Sequence, residues 1–450
     1  MANVLKISVT GVRGIVGQAL TPELLIQFAR AFATYMDGGR LMIGRDTRPS
    51  GEMVRSAVLS GLLSCGCEVI DLGICPAPTL QFYIKAQNAQ GGIAMTGGHN
   101  PEEWNALKFI RNDGIYLSAP QGEELLDIYH QGEFRKASWT QIRPLERRPE
   151  AIHYHLDHLV AAVDAEGIRA RQFVVALDCC NGACSHVTPL LLERLGCRVL
   201  VMNDDPNGHF PHHPDPIPAH MSGLSALVKA SGAHVGFAHD ASGERLGIVD
   251  EQSRALPEEW SLAVLTDIEL RRKPGLVVTN LSTTALIDHL AKQHGGTVLR
   301  TPVGQAYVAE AVQEHGAVIG GEGSGGIIWP RLHSNHDSLA AIVALLDHMA
   351  RTGESVGSIC EGFPRLHMIK RNIHFSPREV FSALEKFRDV LAEDPAIVKV
   401  DLSDGVRLQW PDGWLHLRAS NTESMIRIIS EAAEEGRALQ LADWAQSRLN

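Results

Sequence analysis

Gly92-Ile-Ala-Met-Thr-Gly-Gly-His-Asn100 is a short apolar run that empties into a polar, glycine-rich turn. The figure returns at Gly236-Phe-Ala-His-Asp-Ala-Ser-Gly-Glu244 and again at Ala317-Val-Ile-Gly-Gly-Glu-Gly-Ser-Gly-Gly326. Apolar runs this brief, without alternation, suit strands covered by helices on both faces. In such sheets the loops leaving the strand C-termini carry the ligands. Three copies of one figure therefore predict three related α/β domains, each offering one polar loop.

Working outward, further strands are expected at Leu41-Met-Ile-Gly44, Val69-Ile-Asp-Leu72, Phe173-Val-Val-Ala-Leu177, Val199-Leu-Val-Met202 and Leu276-Val-Val-Thr279. Helices lie between them. Thr21-Pro22-Glu23 reads as an N-cap with proline at the first helical position. Leu24, Leu25, Phe28, Phe32 and Tyr35 mark one buried stripe, and Gly38-Gly39 stops the helix. Residues 49–64 give a second helix. This alternation implies βαβ units in parallel or mixed sheets. The C-terminal part differs. Val406-Arg-Leu-Gln-Trp410, Trp414-Leu-His-Leu-Arg418 and Ile426-Arg-Ile-Ile429 alternate as half-buried antiparallel strands do, and residues 439–449 close with a helix. Residues 142–150, rich in Arg, Pro and Glu, read as a linker.

The 450 residues exceed the length at which single cores stop growing, so several domains are expected. Lys and Arg number 41 against 52 Asp and Glu. The net charge of -11 argues against nucleic acid or an anionic membrane as the main partner. An anionic ligand then needs a local basic pocket. No secretory signal and no membrane-spanning run are seen, so a cytoplasmic protein is expected. Cys65, Cys67, Cys75, Cys179, Cys180, Cys184, Cys197 and Cys360 read mostly as reduced core thiols. Cys179, Cys180 and Cys184 lack the second Cys or His pair of a zinc finger. The oligomeric state stays open, a homo-oligomer included.

Four constellations carry chemistry. In Thr96-Gly-Gly-His-Asn-Pro101, two glycines let backbone N–H groups approach an anion, His99 titrates near neutrality and the following Lys108 offers a point charge to phosphate. A plain tight turn is the alternative. Asp240, Ser242 and Glu244 stand at alternate positions of a tight loop, as oxygen ligands of a hard cation do, and a solvated acidic turn has the same spacing. Glu322 and Ser324 in the third loop suit sugar hydroxyls. Arg418-Ala-Ser-Asn-Thr-Glu-Ser424, with Arg427 beyond, can cradle a phosphate or form an ordinary turn. Arg13 and the Gly44-Arg-Asp-Thr-Arg48 turn add further placed cations.

Taken in this order, the four loops resemble those of the α-D-phosphohexomutase superfamily, the phosphoglucomutases and phosphomannomutases, from about residue 8 to about residue 430. The family patterns are Thr-Ala-Ser-His-Asn-Pro, Asp-x-Asp-x-Asp-Arg, Gly-Glu-x-Ser-Gly and Arg-x-Ser-x-Thr-Glu. Trp104-Asn-Ala-Leu-Lys108 and residues 320–330 look closest to archaeal-type phosphoglucosamine mutases. The resemblance implies four domains around a central cleft, three mixed α/β and a C-terminal α+β domain. They are expected at 1–148 (phosphoryl-transfer loop), 149–254 (metal loop), 255–366 (sugar loop) and 367–450 (phosphate grip). It implies interconversion of sugar 1-phosphate and sugar 6-phosphate, with a phosphoserine, Mg²⁺ and a bisphosphorylated hexose intermediate. The phosphoserine position is Gly98, with His99, Lys108 and Arg13 beside it. The metal positions are Asp240, Ser242 and Glu244, and Arg245, Glu322, Ser324, Arg418, Ser420, Asn421, Thr422 and Arg427 face the phosphorylated hexose.

Two departures fall in one chemical step. Gly98 has no oxygen to hold a phosphoryl group, and Ser242 replaces the middle metal aspartate. Glu244 keeps the charge of the third on a longer arm. Three readings stand open. The chain is a mutase that carries phosphate on His99 or Thr96; it is a non-catalytic sugar-phosphate binder; or it runs a related reaction such as phosphate hydrolysis.

Overall fold

The computed structural model describes residues 5–8, 11–376, 379–389, 396–419 and 425–449. Their strands form four sheets. The first has seven strands, in the order Lys6–Ser8, Gly11–Ile15, Trp104–Arg111, Gly91–Met95, Arg40–Arg45, Glu68–Ile74 and Glu146–Arg147. The second runs Leu246–Val249, Val235–His239, Val174–Asp178, Arg198–Met202, and the third Thr297–Thr301, Leu276–Asn280, Ile319–Glu322, Gly326–Ile328. The fourth has five strands, each paired antiparallel with its neighbours.

The repeated sequence figure has one structural meaning. Gly91–Met95 pairs parallel with Arg40–Arg45 and antiparallel with Trp104–Arg111. Val235–His239 pairs parallel with Val174–Asp178 and antiparallel with Leu246–Val249. Ile319–Glu322 pairs parallel with Leu276–Asn280 and antiparallel with Gly326–Ile328. Each glycine-rich loop is thus the turn at which a parallel strand reverses into an antiparallel return.

Helices cover the sheets as the apolar stripes require. Thr21 caps the Pro22–Tyr35 helix, its side chain accepting from the Leu24 N–H at 3.4 Å. Leu25, Phe28 and Phe32 are buried, while Leu24 and Tyr35 are half-buried. Burying each large apolar side chain contributes about 1.5–3 kcal/mol. Phe32 packs on Phe109 with ring centroids 4.9 Å apart. The helix thereby fixes the Trp104–Arg111 strand, on which Lys108 sits. The next helix begins at Gly51, because Pro49 and Ser50 form a turn closed by Gly51 N–H on the Arg48 carbonyl. Residues 142–150 are more than a linker. Glu146–Arg147 adds an edge strand parallel to Glu68–Ile74, held by backbone pairing that leaves no apolar trace in sequence. The last helix spans Glu435–Leu449, one turn longer at its start than the expected 439–449. Among the described residues no helix is long and apolar enough to cross a membrane.

The first three units meet at a buried polar junction. Thr79 Oγ1 lies 3.0 Å from His155 Nδ1, and His155 Nε2 lies 3.2 Å from Asp337 Oδ2. The same Asp337 oxygen is 2.9 Å from His333 Nε2, while its other oxygen caps the Ser338–Thr352 helix at Leu339 N–H. Burial opposes ionisation of Asp337, yet the two histidines hold its carboxyl well below the usual range. The Asn335 N–H donates to His333 Nδ1, which assigns the ring proton to Nε2 and fills the gap to Asp337. A metal ion would have to displace that proton.

Candidate functional site

The first loop is built by Arg48. Its guanidinium, 1% exposed, pairs with Asp46 at 2.9 Å and donates to the carbonyls of Gly98 (2.8 Å), Asn100 (2.7 Å), Trp104 (3.0 Å) and Pro101. This placed cation is a scaffold for residues 97–104. Thr96 belongs to the same scaffold. Its hydroxyl donates to Asp46 at 2.5 Å and accepts from Gly98 N–H at 2.9 Å, and it is 2% exposed. Thr96 is thus buried within the scaffold and does not line the cavity that the loops enclose.

Lys108 and Arg13 reach the site from the sheet. Arg13 is the cross-strand partner of Ala106, two residues from Lys108, so both project from one face. Gly98 has φ +55°, and a Cβ there would lie 3.7 Å from Asp240 Oδ2, 3.9 Å from Lys108 Nζ and 3.9 Å from Ser242 Oγ. The side-chain direction at residue 98 therefore points into the space between the first two loops.

The second loop is clamped through its backbone carbonyls by donors from its neighbours. The Ala77 N–H donates to the Ser242 carbonyl at 2.9 Å and the Ser338 hydroxyl to the Gly243 carbonyl at 2.6 Å. Leu246 N–H donates to the Gly325 carbonyl at 2.9 Å, and Arg245 bridges to Gly326, which brings the second and third loops together. Gly326 is required at that contact, since a Cβ would fall 2.4 Å from the His336 ring.

The three loops enclose a cavity of about 110 Å³ lined by Arg13, Gly98, His99, Lys108, Arg245, Glu322 and Ser324, with Asp240 and Glu244 at its wall. Arg245 is oriented by Asp215 at 2.7 Å. Glu322 accepts from Asn280 at 2.6 Å and from Gly304 N–H at 3.1 Å. His99 is held neutral, first by burial and then by the charges of Arg245, Arg13 and Lys108. Gln305 and His336 also line the cavity, and their Nε2 atoms are buried without a hydrogen-bond partner among the described residues. Neither lies in a glycine-rich loop, so nothing local in sequence singles them out.

Asp240, Ser242 and Glu244 come together, but not as a hard-cation site. Ser242 Oγ is 2.6 Å from Asp240 Oδ2 and 2.8 Å from Glu244 Oε2. Asp240 Oδ1 accepts from the N–H groups of Glu244 and Arg245 at 2.8 and 3.0 Å. Lys108 Nζ sits 2.5 Å from Glu244 Oε2, and the Tyr116 hydroxyl donates to Glu244 Oε1 at 2.9 Å. Each carboxylate oxygen already has a protein donor. Burial and the Glu244 charge raise the Asp240 carboxyl. Burial acts the same way on Glu244, but the Lys108 ammonium prevails and holds that carboxyl low. Mg²⁺ demands near-octahedral oxygen ligation at short range. The residues present do not fit the Mg²⁺ that the resemblance implies.

The fourth loop is reached only at its edge. Arg418 lies on the Gly413–Ala419 strand and pairs with Asp404 at 3.0 Å. Asp404 also accepts from Val303 N–H, next to the Gly304 that holds Glu322. Arg427 is the cross-strand partner of Arg418 and is exposed. Neither lines the cavity. Ser420, Asn421 and Thr422 lie outside the described residues.

Family profiles match the chain in sequence: phosphoglucomutase/phosphomannomutase alpha/beta/alpha domain I over residues 5–136, domain II over 153–253, domain III over 258–366, and the C-terminal domain over 376–444. A Thermococcus kodakarensis protein named phosphoglucomutase/phosphomannomutase is 36% identical over 95% of this chain and 94% of its own. A probable phosphoglucosamine mutase of Methanopyrus kandleri is 34% identical over 96% and 95%. The crystal structure of a phosphoglucomutase/phosphomannomutase family protein from Burkholderia thailandensis superposes with a TM-score of 0.86 at 25% identity, covering 98% of this chain and 97% of that one.

Proposed function

The chain belongs to the phosphoglucomutase/phosphomannomutase family, and we propose that its cleft binds a phosphorylated hexose without storing a phosphoryl group at residue 98. The observation that carries this is Gly98. Asp240, Lys108 and Ser242 surround the place where a side chain would enter, and residue 98 itself brings no oxygen to accept phosphate. The binding groups remain. Arg13, Arg245 and the neutral His99 supply positive charge and a donor to a phosphate. Glu322, Ser324, Gln305 and His336 supply the polar contacts that a sugar's hydroxyls need. Glucose, mannose and glucosamine phosphates, after which the family and its relatives are named, are the ligands to try.

One observation favours a second reading. His99 is neutral, faces three cations and lines the same cavity, which suits a phosphohistidine. Incubation with a hexose bisphosphate followed by mass spectrometry decides between them. We expect no phosphopeptide from residues 96–101 and no exchange of sugar 1-phosphate with sugar 6-phosphate; phosphate on His99 would restore the mutase reading.

Binding is tested by calorimetry with glucose 1-phosphate. Arg245→Ala should lower affinity by ~10-fold or more through loss of a charge-assisted donor. His336→Ala should lower it by ~3–10-fold through loss of a neutral hydrogen bond, and should leave the affinity for inorganic phosphate unchanged. Equal losses for sugar phosphate and phosphate would remove His336 from the sugar contacts.

A further inference from the structure

We propose that the Lys108 ammonium is the resident cation of the 240–245 loop, so that this loop holds its shape and its charge balance without a divalent metal ion. The loop's chemistry points there from each of its positions. Ser242 puts a hydroxyl where a third carboxylate would otherwise face Asp240 and Glu244 at 2.6 and 2.8 Å. That removes one negative charge and supplies a proton donor between the two that remain. Glu244 has one methylene more than aspartate, and its Oε2 reaches Lys108 Nζ at 2.5 Å. An aspartate at 244 would carry its carboxylate on an arm one methylene shorter. The first unit thus supplies to the second loop both the cation and, through Tyr116, a second donor to the same carboxylate at 2.9 Å. The Tyr116 ring lies 5.2 Å from Lys108 Nζ and adds a cation–π contact on the ammonium's flank.

Ser242, Glu244 and Lys108 therefore form one consistent set. Three carboxylates at this spacing need a divalent counter-ion; two carboxylates, a hydroxyl and an ammonium do not. Lys108 also comes from a different sheet than Glu244. The pair ties the first unit to the second, a link that a bound ion held only by the second loop would not make.

The test measures metal uptake without any sugar, so it stands apart from the ligand reading above. Metal-stripped full-length chain is titrated with Mn²⁺ and followed by electron paramagnetic resonance, with thermal melts in about 10 mM Mg²⁺ alongside. The unchanged chain should take up no stoichiometric Mn²⁺ and should melt at the same temperature with Mg²⁺ or with chelator. Ser242→Asp returns the third carboxylate and Lys108→Met frees Glu244, and each should gain uptake by ~10-fold or more in affinity. If one variant does not fold, the other serves. Stoichiometric Mn²⁺ on the unchanged chain overturns the proposal, and so does a folded variant that stays metal-free.

Discussion

Gly98→Ser combined with Ser242→Asp is expected to turn the chain into a phosphoryl-storing mutase, with turnover on a hexose 1-phosphate raised at least ~10³-fold over the unchanged chain. The new serine has room. Its Cβ would make ordinary contacts at 3.7–3.9 Å with Asp240, Lys108 and Ser242. The backbone at φ +55° costs an L-residue about 1–2 kcal/mol, which a domain of ordinary stability survives. The aspartate supplies the charge that brings Mg²⁺ to the transferring phosphoryl group. The readout is a phosphopeptide containing residue 98 after exposure to a hexose bisphosphate, together with the turnover assay in Mg²⁺. A folded double variant that gains neither would show that more than these two residues separates this site from mutase chemistry.

Arg48→Met is expected to give the largest loss of stability, about 3–5 kcal/mol, because it breaks a buried ion pair and strips one donor set from four carbonyls at once. The Asp46 carboxylate, 1% exposed, would keep the Thr96 hydroxyl and the residue 48 N–H but lose its counter-charge. The Phe210 ring, 5.0 Å from the guanidinium, would lose its cation partner as well. Denaturant unfolding should show a lower midpoint, and glucose 1-phosphate affinity should fall with it because residues 97–100 line the cavity. A stable variant with weakened binding would instead assign Arg48 to the ligand rather than to the scaffold.

The contrast between Arg48 and Lys108 shows where sequence stops being informative. Both are cations near a glycine-rich loop. One is consumed by backbone carbonyls of its own unit, the other by a carboxylate of the next unit. Those partners lie 50 to 136 residues away in the chain, so no local pattern separates the two roles. Gln305 and His336 were illegible for the same reason, being polar residues outside any motif that the fold brings to the cavity, their Nε2 atoms without a hydrogen-bond partner among the described residues. The Glu146–Arg147 edge strand was illegible because only backbone bonds define it.

Order and periodicity along the chain determined the three repeated strand-and-loop units and the antiparallel C-terminal sheet, while the four loop motifs carried the resemblance to the family and read glycine at position 98, since each of these is a property of neighbouring residues. Only the tertiary structure decided which charges face each other across the units: that Thr96 and Arg48 are spent on scaffolding, and that Glu244 answers to Lys108. The physical reason is range. Strand, helix and turn preferences act over a few residues, whereas the pairing of a buried charge depends on whatever side chain folding brings within about 4 Å of it.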